Sequence, residues 1–220
     1  LRIKLNRVYK KEEKYVVVID YIAKPDERTT SGSAAITSDK GLYFINPKTA
    51  MFGAISIFMY VSLYTPLKTL TPLSVFVGAF PGAIPFMLGW VAATGSFGIE
   101  AGTLFLIQFF WQFPHFWAIA WLSYEDYLKA NIMLLPSKDG KSKQSAFITL
   151  LYTVVLIPLS FYPSYLSECI TIGSIILAIS SIGFTYLAVQ FYRTCQDADA
   201  RKLMFGSFAY LLIFLISLFF

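Results

Sequence analysis

Residues 72–94 read PLSVFVGAFPGAIPFMLGWVAAT, a run without one charged side chain and long enough to cross the hydrocarbon of a bilayer. A helix at the surface of a soluble domain would carry a polar face, and this one has none. Pro72, Pro81 and Pro85 alternate in it with Gly78, Gly82 and Gly89. Proline withholds an N–H and frees a carbonyl one turn earlier, and in lipid that carbonyl must be met by protein or by cavity water. The stretch therefore reads either as the wall of a substrate cavity or as a close-packing surface, with Gly78 and Gly82 in a small-xxx-small pattern.

Outward from this run lie five more of about 20 apolar residues each, at 44–64, 99–122, 146–166, 170–192 and 203–220. The expected fold is all-α, a polytopic transmembrane helix bundle of about six spans. Composition agrees: 56% of the chain is hydrophobic and 14% charged, against roughly a quarter charged in a soluble domain. The cations set the topology. Lys68 follows the first span, Lys129, Lys138, Lys141 and Lys143 the third, and Arg193, Arg201 and Lys202 the fifth. The connections 95–98 and 167–169 contain none, so all eight Lys and Arg that follow the first span fall on one side, which the positive-inside rule makes cytoplasmic or matrix-facing. A net charge of +5 spread this way argues against nucleic acid, which needs its cations along a water-facing groove. Cys169 and Cys195 fall at opposite ends of one span, roughly 30 Å apart, too far for a disulfide.

Two domains are expected. Residues 1–43 form a polar lead-in with nine of the eighteen Lys and Arg, on the side where alternation predicts few, and they read as atypical or non-native. Within them Tyr15–Tyr21 has the pattern of a short strand and Thr29–Ser38 that of a flexible Ser/Thr/Gly tract. Residues 44–220 are the bundle.

Polar groups inside a membrane are expensive and are functional candidates by default. Ser56, Tyr60, Tyr64 and Lys68 recur every fourth residue, a stripe that ends in a cation. It suits either a binding face or a packed Tyr pair with Lys68 snorkelling to lipid phosphate. Gln108, Trp111, Gln112 and His115 lie within two turns of the third span, and His115 is the chain's only histidine. Its imidazole suits a haem iron, a metal or a proton, or a structural hydrogen bond among Phe110, Trp111, Phe113 and Phe116. Just beyond the membrane, Glu125 and Asp126 could hold Mg²⁺ and through it a diphosphate, or pair with Lys129 at the surface.

These segments together resemble the protohaem IX farnesyltransferases, or haem O synthases, of the UbiA-type intramembrane prenyltransferases. The resemblance rests on YTPLKTLTPLSVFVGAFPGAIPFMLGWVAATG (64–95), FFWQFPHFWAIAW (109–121), EDYLKANIMLLP (125–136) and QDADARKLMFGSFAY (196–210). It implies transfer of the farnesyl group of farnesyl diphosphate to a vinyl group of haem b, with addition of water, to form haem O. It implies Mg²⁺ (or Mn²⁺) as cofactor and haem b as substrate. Asp126, and Glu125 with it, match the family's second acidic motif and would hold the metal. Lys68 matches the basic residue of the YTPLK loop and would contact diphosphate. His115 matches the PHFW histidine, for haem binding or proton handling, with Trp111 and Tyr64 as neighbouring binding residues. A terminal oxidase or haem A synthase is the expected protein partner, alongside the lipid bilayer. The expected location is the cell inner (plasma) membrane, with the mitochondrial inner membrane as the alternative.

The family has nine spans and an earlier acidic motif after its second. Six spans are visible here, and Asp26, Glu27 and Arg28 resemble only the end of that motif, so the chain reads as N-terminally truncated or atypical. The alternatives to an active enzyme are an inactive fragment of one and a small membrane transporter, since broken helices also serve transporters. No internal repeat supports the transporter.

Overall fold

The computed structural model describes the backbone of residues 47–166 and 172–218, and side chains over 51–161 and 172–218. The chain divides into Leu1–Phe44 and Ile45–Phe220, and every described residue belongs to the second unit. The expectations for Tyr15–Tyr21, Thr29–Ser38, Asp26–Arg28 and the 167–169 connection lie outside the described residues.

Among the described residues all regular structure is helical. α1 (Pro47–Phe58) runs without a break into a π-helical segment (Met59–Tyr64) and a last turn, α2 (Thr65–Leu67). Then come α3 (Ser74–Thr94), α4 (Ile99–Leu122), the short α5 (Tyr124–Lys129), α6 (Lys143–Val154), α7 (Leu156–Leu166), α8 (Ile172–Thr194) and α9 (Asp197–Ser217). Among the described residues four helical stretches are long and apolar enough to cross a membrane: Ser74–Thr94, Lys143–Phe161, Ile172–Thr194 and Asp197–Ser217. Residues 51–67 form a shorter apolar helix.

Two expected spans are corrected in detail. The run 146–166 is not one straight helix but breaks at Val155, because Pro158 has no N–H for the Val154 carbonyl. The last helix starts at Asp197 rather than at 203, with Asp197 and Asp199 in its first turn, where carboxylates complement the helix dipole. The third expected span, 99–122, is present as α4, 24 residues long. α4 is the hub, packed against α3, α6, α7 and α9, so Gln108, Gln112 and His115 are buried in protein and not offered to lipid.

The prolines of α3 do not stop the helix. Pro85 leaves the Pro81 carbonyl without its helical donor, and the Ser56 hydroxyl donates to that oxygen at 3.2 Å. A group freed in one helix is thus met from its neighbour. The glycines bring the helices close. A Cβ at Gly78 would lie 2.6 Å from the Tyr64 ring, and one at Gly82 would overlap Gln112 Oε1. The Gln112 amide is pinned there, its Nε2 donating to the Ala79 and Gln108 carbonyls at 3.1 Å each. Gly82→Ala should therefore destabilise the bundle by about 1–3 kcal/mol, the usual cost of overpacking. Gly89, with nothing within 4 Å of the place a Cβ would take, should accept alanine freely. Thermal unfolding of the two variants in the same detergent checks this; equal midpoints would refute it.

Candidate active site

The π-helical segment decides how the Tyr stripe is presented. Four residues fall just past one α turn and just short of one π turn, so the wider segment counters the drift that a plain α-helix would give the stripe. Its shifted bonding is visible at Thr65, whose N–H and hydroxyl both donate to the Tyr60 carbonyl, the latter at 2.9 Å. Tyr60 and Tyr64 end with ring centroids 5.1 Å apart. The Lys68 ammonium lies 4.2 Å from the Tyr64 centroid and 5.9 Å from that of Tyr60. Ser56, Tyr60 and Tyr64 face a cavity of about 370 Å³ whose far wall is Gly78, Pro81 and Gly82 of α3 with Gln112 and Phe116 of α4. The stripe is a cavity face, and the Pro/Gly helix is its wall.

The YTPLK loop is tied to the loop that follows α5 by one residue. The Met133 N–H donates to the Lys68 carbonyl at 2.7 Å, and the Met133 carbonyl accepts from the Ser74 hydroxyl at 3.4 Å. This holds the basic loop and the acidic α5 at the same end of the bundle. Asp126 pairs with Lys129 at 3.2 Å, with side chains 80% and 77% exposed, so the carboxylate is open to a ligand. Glu125 is also exposed, but adjacent helical positions do not face each other. Among the described residues no three His, Cys, Asp or Glu side chains gather into a metal cage. Mg²⁺ bound with substrate phosphates needs only one or two carboxylates, so Asp126 fits one end of such an ion. A second smaller cavity, about 170 Å³, lies between Pro72, Tyr124, Tyr127 and Lys138 at this end.

His115 is placed differently. It is buried, with its ring stacked on Trp111 at 4.9 Å and Nδ1 2.7 Å from the Ser207 hydroxyl of α9. Trp111 Nε1 donates to the Ser207 carbonyl at 2.8 Å. His115 and Trp111 are thus together, but they face α9 while Tyr64 faces α3. Phe116 links the two sides: it lines the larger cavity and lies 5.4 Å from the imidazole.

The basic end is closed by contacts between distant segments. Asp197 Oδ1 accepts from Lys141 Nζ and Trp121 Nε1, each at 2.9 Å, while within α9 itself Lys202 bonds Asp199 at 2.8 Å. In the turn before α6, Gly140 has φ 65° and the Tyr124 hydroxyl occupies the place of a Cβ, so only glycine fits.

The sequence model of the UbiA prenyltransferase family matches residues 29–216. The chain belongs to that family. Among curated UbiA-like relatives it is 55% identical over 174 residues to the protoheme IX farnesyltransferase of Christiangramia forsetii, and 55% identical over 177 residues to that of Flavobacterium psychrophilum. Each alignment takes in 77% of this chain and 58% of the relative. The protoheme IX farnesyltransferase of Azorhizobium caulinodans is 38% identical over 167 residues, 74% of this chain and 54% of that protein. The chain thus spans less than two thirds of the length of these relatives. No solved structure matches it.

As a UbiA-family chain with four long apolar helices, this is a multi-pass membrane protein. Two residues that shape the candidate site, Met133 and Ser207, lie inside stretches that carry the resemblance, but nothing in their residue type marks the part they play. Met133 acts through its backbone, and Ser207 is one serine in a long apolar run. Gln112 could be found, because an amide in a membrane span is costly, and it proves to be both a helix lock and a cavity wall.

Proposed function

We propose that this chain takes part in transferring the farnesyl group of farnesyl diphosphate to a vinyl group of haem b, giving haem O in the cell inner (plasma) membrane. The observation that carries the reading is the Met133 tie, which sets Lys68 and the acidic α5 at one end of an aromatic cavity. In the reaction the C–O bond to diphosphate breaks and the leaving group keeps the electron pair. The vinyl π electrons form the new C–C bond to the allylic carbon. Water adds to the carbocation left on the former vinyl group and loses a proton. Lys68 would meet the charge that grows on the leaving diphosphate, where a fixed cation is most effective. The Tyr60, Tyr64 and Phe116 rings would shelter the allylic cation and limit water's approach. A divalent ion, when bound, would offset diphosphate charge; Asp126 would hold one side of it, with Glu125 as the weaker candidate. His115 would face the haem, with Trp111 behind its ring.

The test is turnover. Membranes carrying the 220-residue chain are incubated with haem b, farnesyl diphosphate and Mg²⁺, and haem O is sought by mass. Product above an empty-membrane control is the expected result. No product, with a full-length relative active in the same assay, would overturn the proposal for this chain and leave the inactive-fragment reading.

A further inference from the structure

The hydroxyl of Ser207 has one proton and two near neighbours. Oγ lies 2.5 Å from the Met204 carbonyl, one helical turn back, and 2.7 Å from His115 Nδ1. A carbonyl oxygen only accepts, so the serine proton goes to Met204. That is the usual back-bond of a serine inside a helix. The contact with His115 must then run the other way, with the imidazole donating Nδ1–H to a lone pair of the serine oxygen. In the neutral ring this leaves Nε2 unprotonated, and Nε2 has no hydrogen-bond partner among the described residues.

The same residue holds the ring from behind. Its carbonyl accepts from Trp111 Nε1 at 2.8 Å, and the Trp111 ring lies parallel to the imidazole within 13°. Phe208 and Phe116 meet the imidazole edge-on at 4.9 and 5.4 Å, and both phenyl rings are partly exposed, at 46% and 40%. Two rings open to the surroundings thus border an imidazole whose inner nitrogen is engaged.

We propose that Ser207 is a positioning residue that fixes His115 as the Nδ1–H tautomer, so that Nε2 presents a lone pair as a neutral nitrogen donor to the iron of haem b. The haem part rests on the function proposed above; the tautomer does not. A donor set by a hydrogen bond at its other ring nitrogen is the ordinary arrangement for imidazole ligands, and its loss typically weakens metal affinity by about 10–100-fold.

Because the chain has a single histidine, ¹⁵N-imidazole labelling gives one ring to read. In nanodiscs above the imidazole pKa, the wild-type chain is expected to carry its ring proton on Nδ1. Ser207→Ala should shift population to the Nε2–H form, and Ser207→Thr, which can make the same back-bond, should restore it. A wild-type proton on Nε2, or an unchanged tautomer in Ser207→Ala, would overturn the positioning role. Ferric haem titrations on the same samples form the second arm. Ser207→Ala should weaken binding about 10-fold, Ser207→Thr should recover it, and His115→Ala should abolish the imidazole-ligand spectrum. If the tautomer responds while His115→Ala leaves haem binding unchanged, the haem assignment fails and the positioning of His115 stands.

Discussion

Asp126→Ala is expected to reduce farnesyl transfer by about 10²–10³-fold, the range for removing one preorganised electrostatic group from a reaction centre, while leaving the unfolding midpoint where it was. The two halves of this expectation come from the same geometry. Asp126 sits on a helix of six residues at the edge of the bundle, with its side chain 80% exposed and a partner, Lys129, that is 77% exposed. An exposed pair three residues apart on one helix adds little to stability. The Met133 tie, however, joins the loop after α5 to the Lys68 loop, which puts Asp126 at the same end of the bundle as Lys68, and a Mg²⁺–diphosphate pair needs a carboxylate at that end. Glu125→Ala should have a smaller effect, since it points away from its neighbour's direction on the helix. Turnover and thermal melts run on one preparation decide the matter. Undiminished turnover in Asp126→Ala would remove Asp126 from the metal-holding role, and a large drop in the melting midpoint would show that the loss is structural.

The bundle is legible because lipid allows so few solutions. Uncharged runs near 20 residues and the one-sided placement of Lys68, Lys129, Lys141 and Arg201 are read directly, and the contacts at one end join those same segments. The break at Val155 is readable too, since Pro158 frees the carbonyl of Val154 by a fixed rule. The apolar run is simply the stronger pattern. The early start of α9 is hidden by its own charges: Asp197, Asp199, Arg201 and Lys202 look like a loop until Asp197 is seen to bond Lys141 and Trp121. Those partners lie 56 and 76 residues away, and no local pattern encodes them.

The site divides along the same line. Tyr60, Tyr64 and Lys68 lie on one short helical stretch, so their spacing carries their geometry, and the π-helical segment refines it. His115 and Trp111, four apart on α4, are neighbours by spacing alone. Which wall they face is not legible, because α4 is packed on several sides. The side is chosen by Ser207, whose hydroxyl and carbonyl capture both rings. Ser207 lies within the 196–210 stretch, but no period or spacing marks it as the partner of two rings on α4.

The substitution that best separates charge from fold is at Lys68. Its backbone carbonyl, not its side chain, accepts from Met133, so shortening or neutralising the side chain leaves the tie between the two loops intact. What the side chain contributes is an ammonium held 4.2 Å above the Tyr64 ring, and that ring lines the cavity. Lys68→Gln should lower kcat/KM for farnesyl diphosphate by about 10²-fold, because the charge growing on the leaving group loses its cation. Lys68→Arg should recover part of the loss: the charge remains, but a planar guanidinium stacks on the two tyrosines differently from a compact ammonium. Tyr64→Phe keeps the ring under the cation and should cost little. Tyr64→Leu removes that ring, and with it an attraction of about 0.5–1 kcal/mol at an exposed site, so it should lower kcat/KM by a few-fold. The order expected from steady-state kinetics is therefore wild type and Tyr64→Phe together, then Tyr64→Leu, then Lys68→Arg, then Lys68→Gln. A Lys68→Gln variant that keeps its kcat/KM would mean that the ammonium serves lipid phosphate at the membrane surface, and that the Tyr stripe is packing which happens to border a cavity.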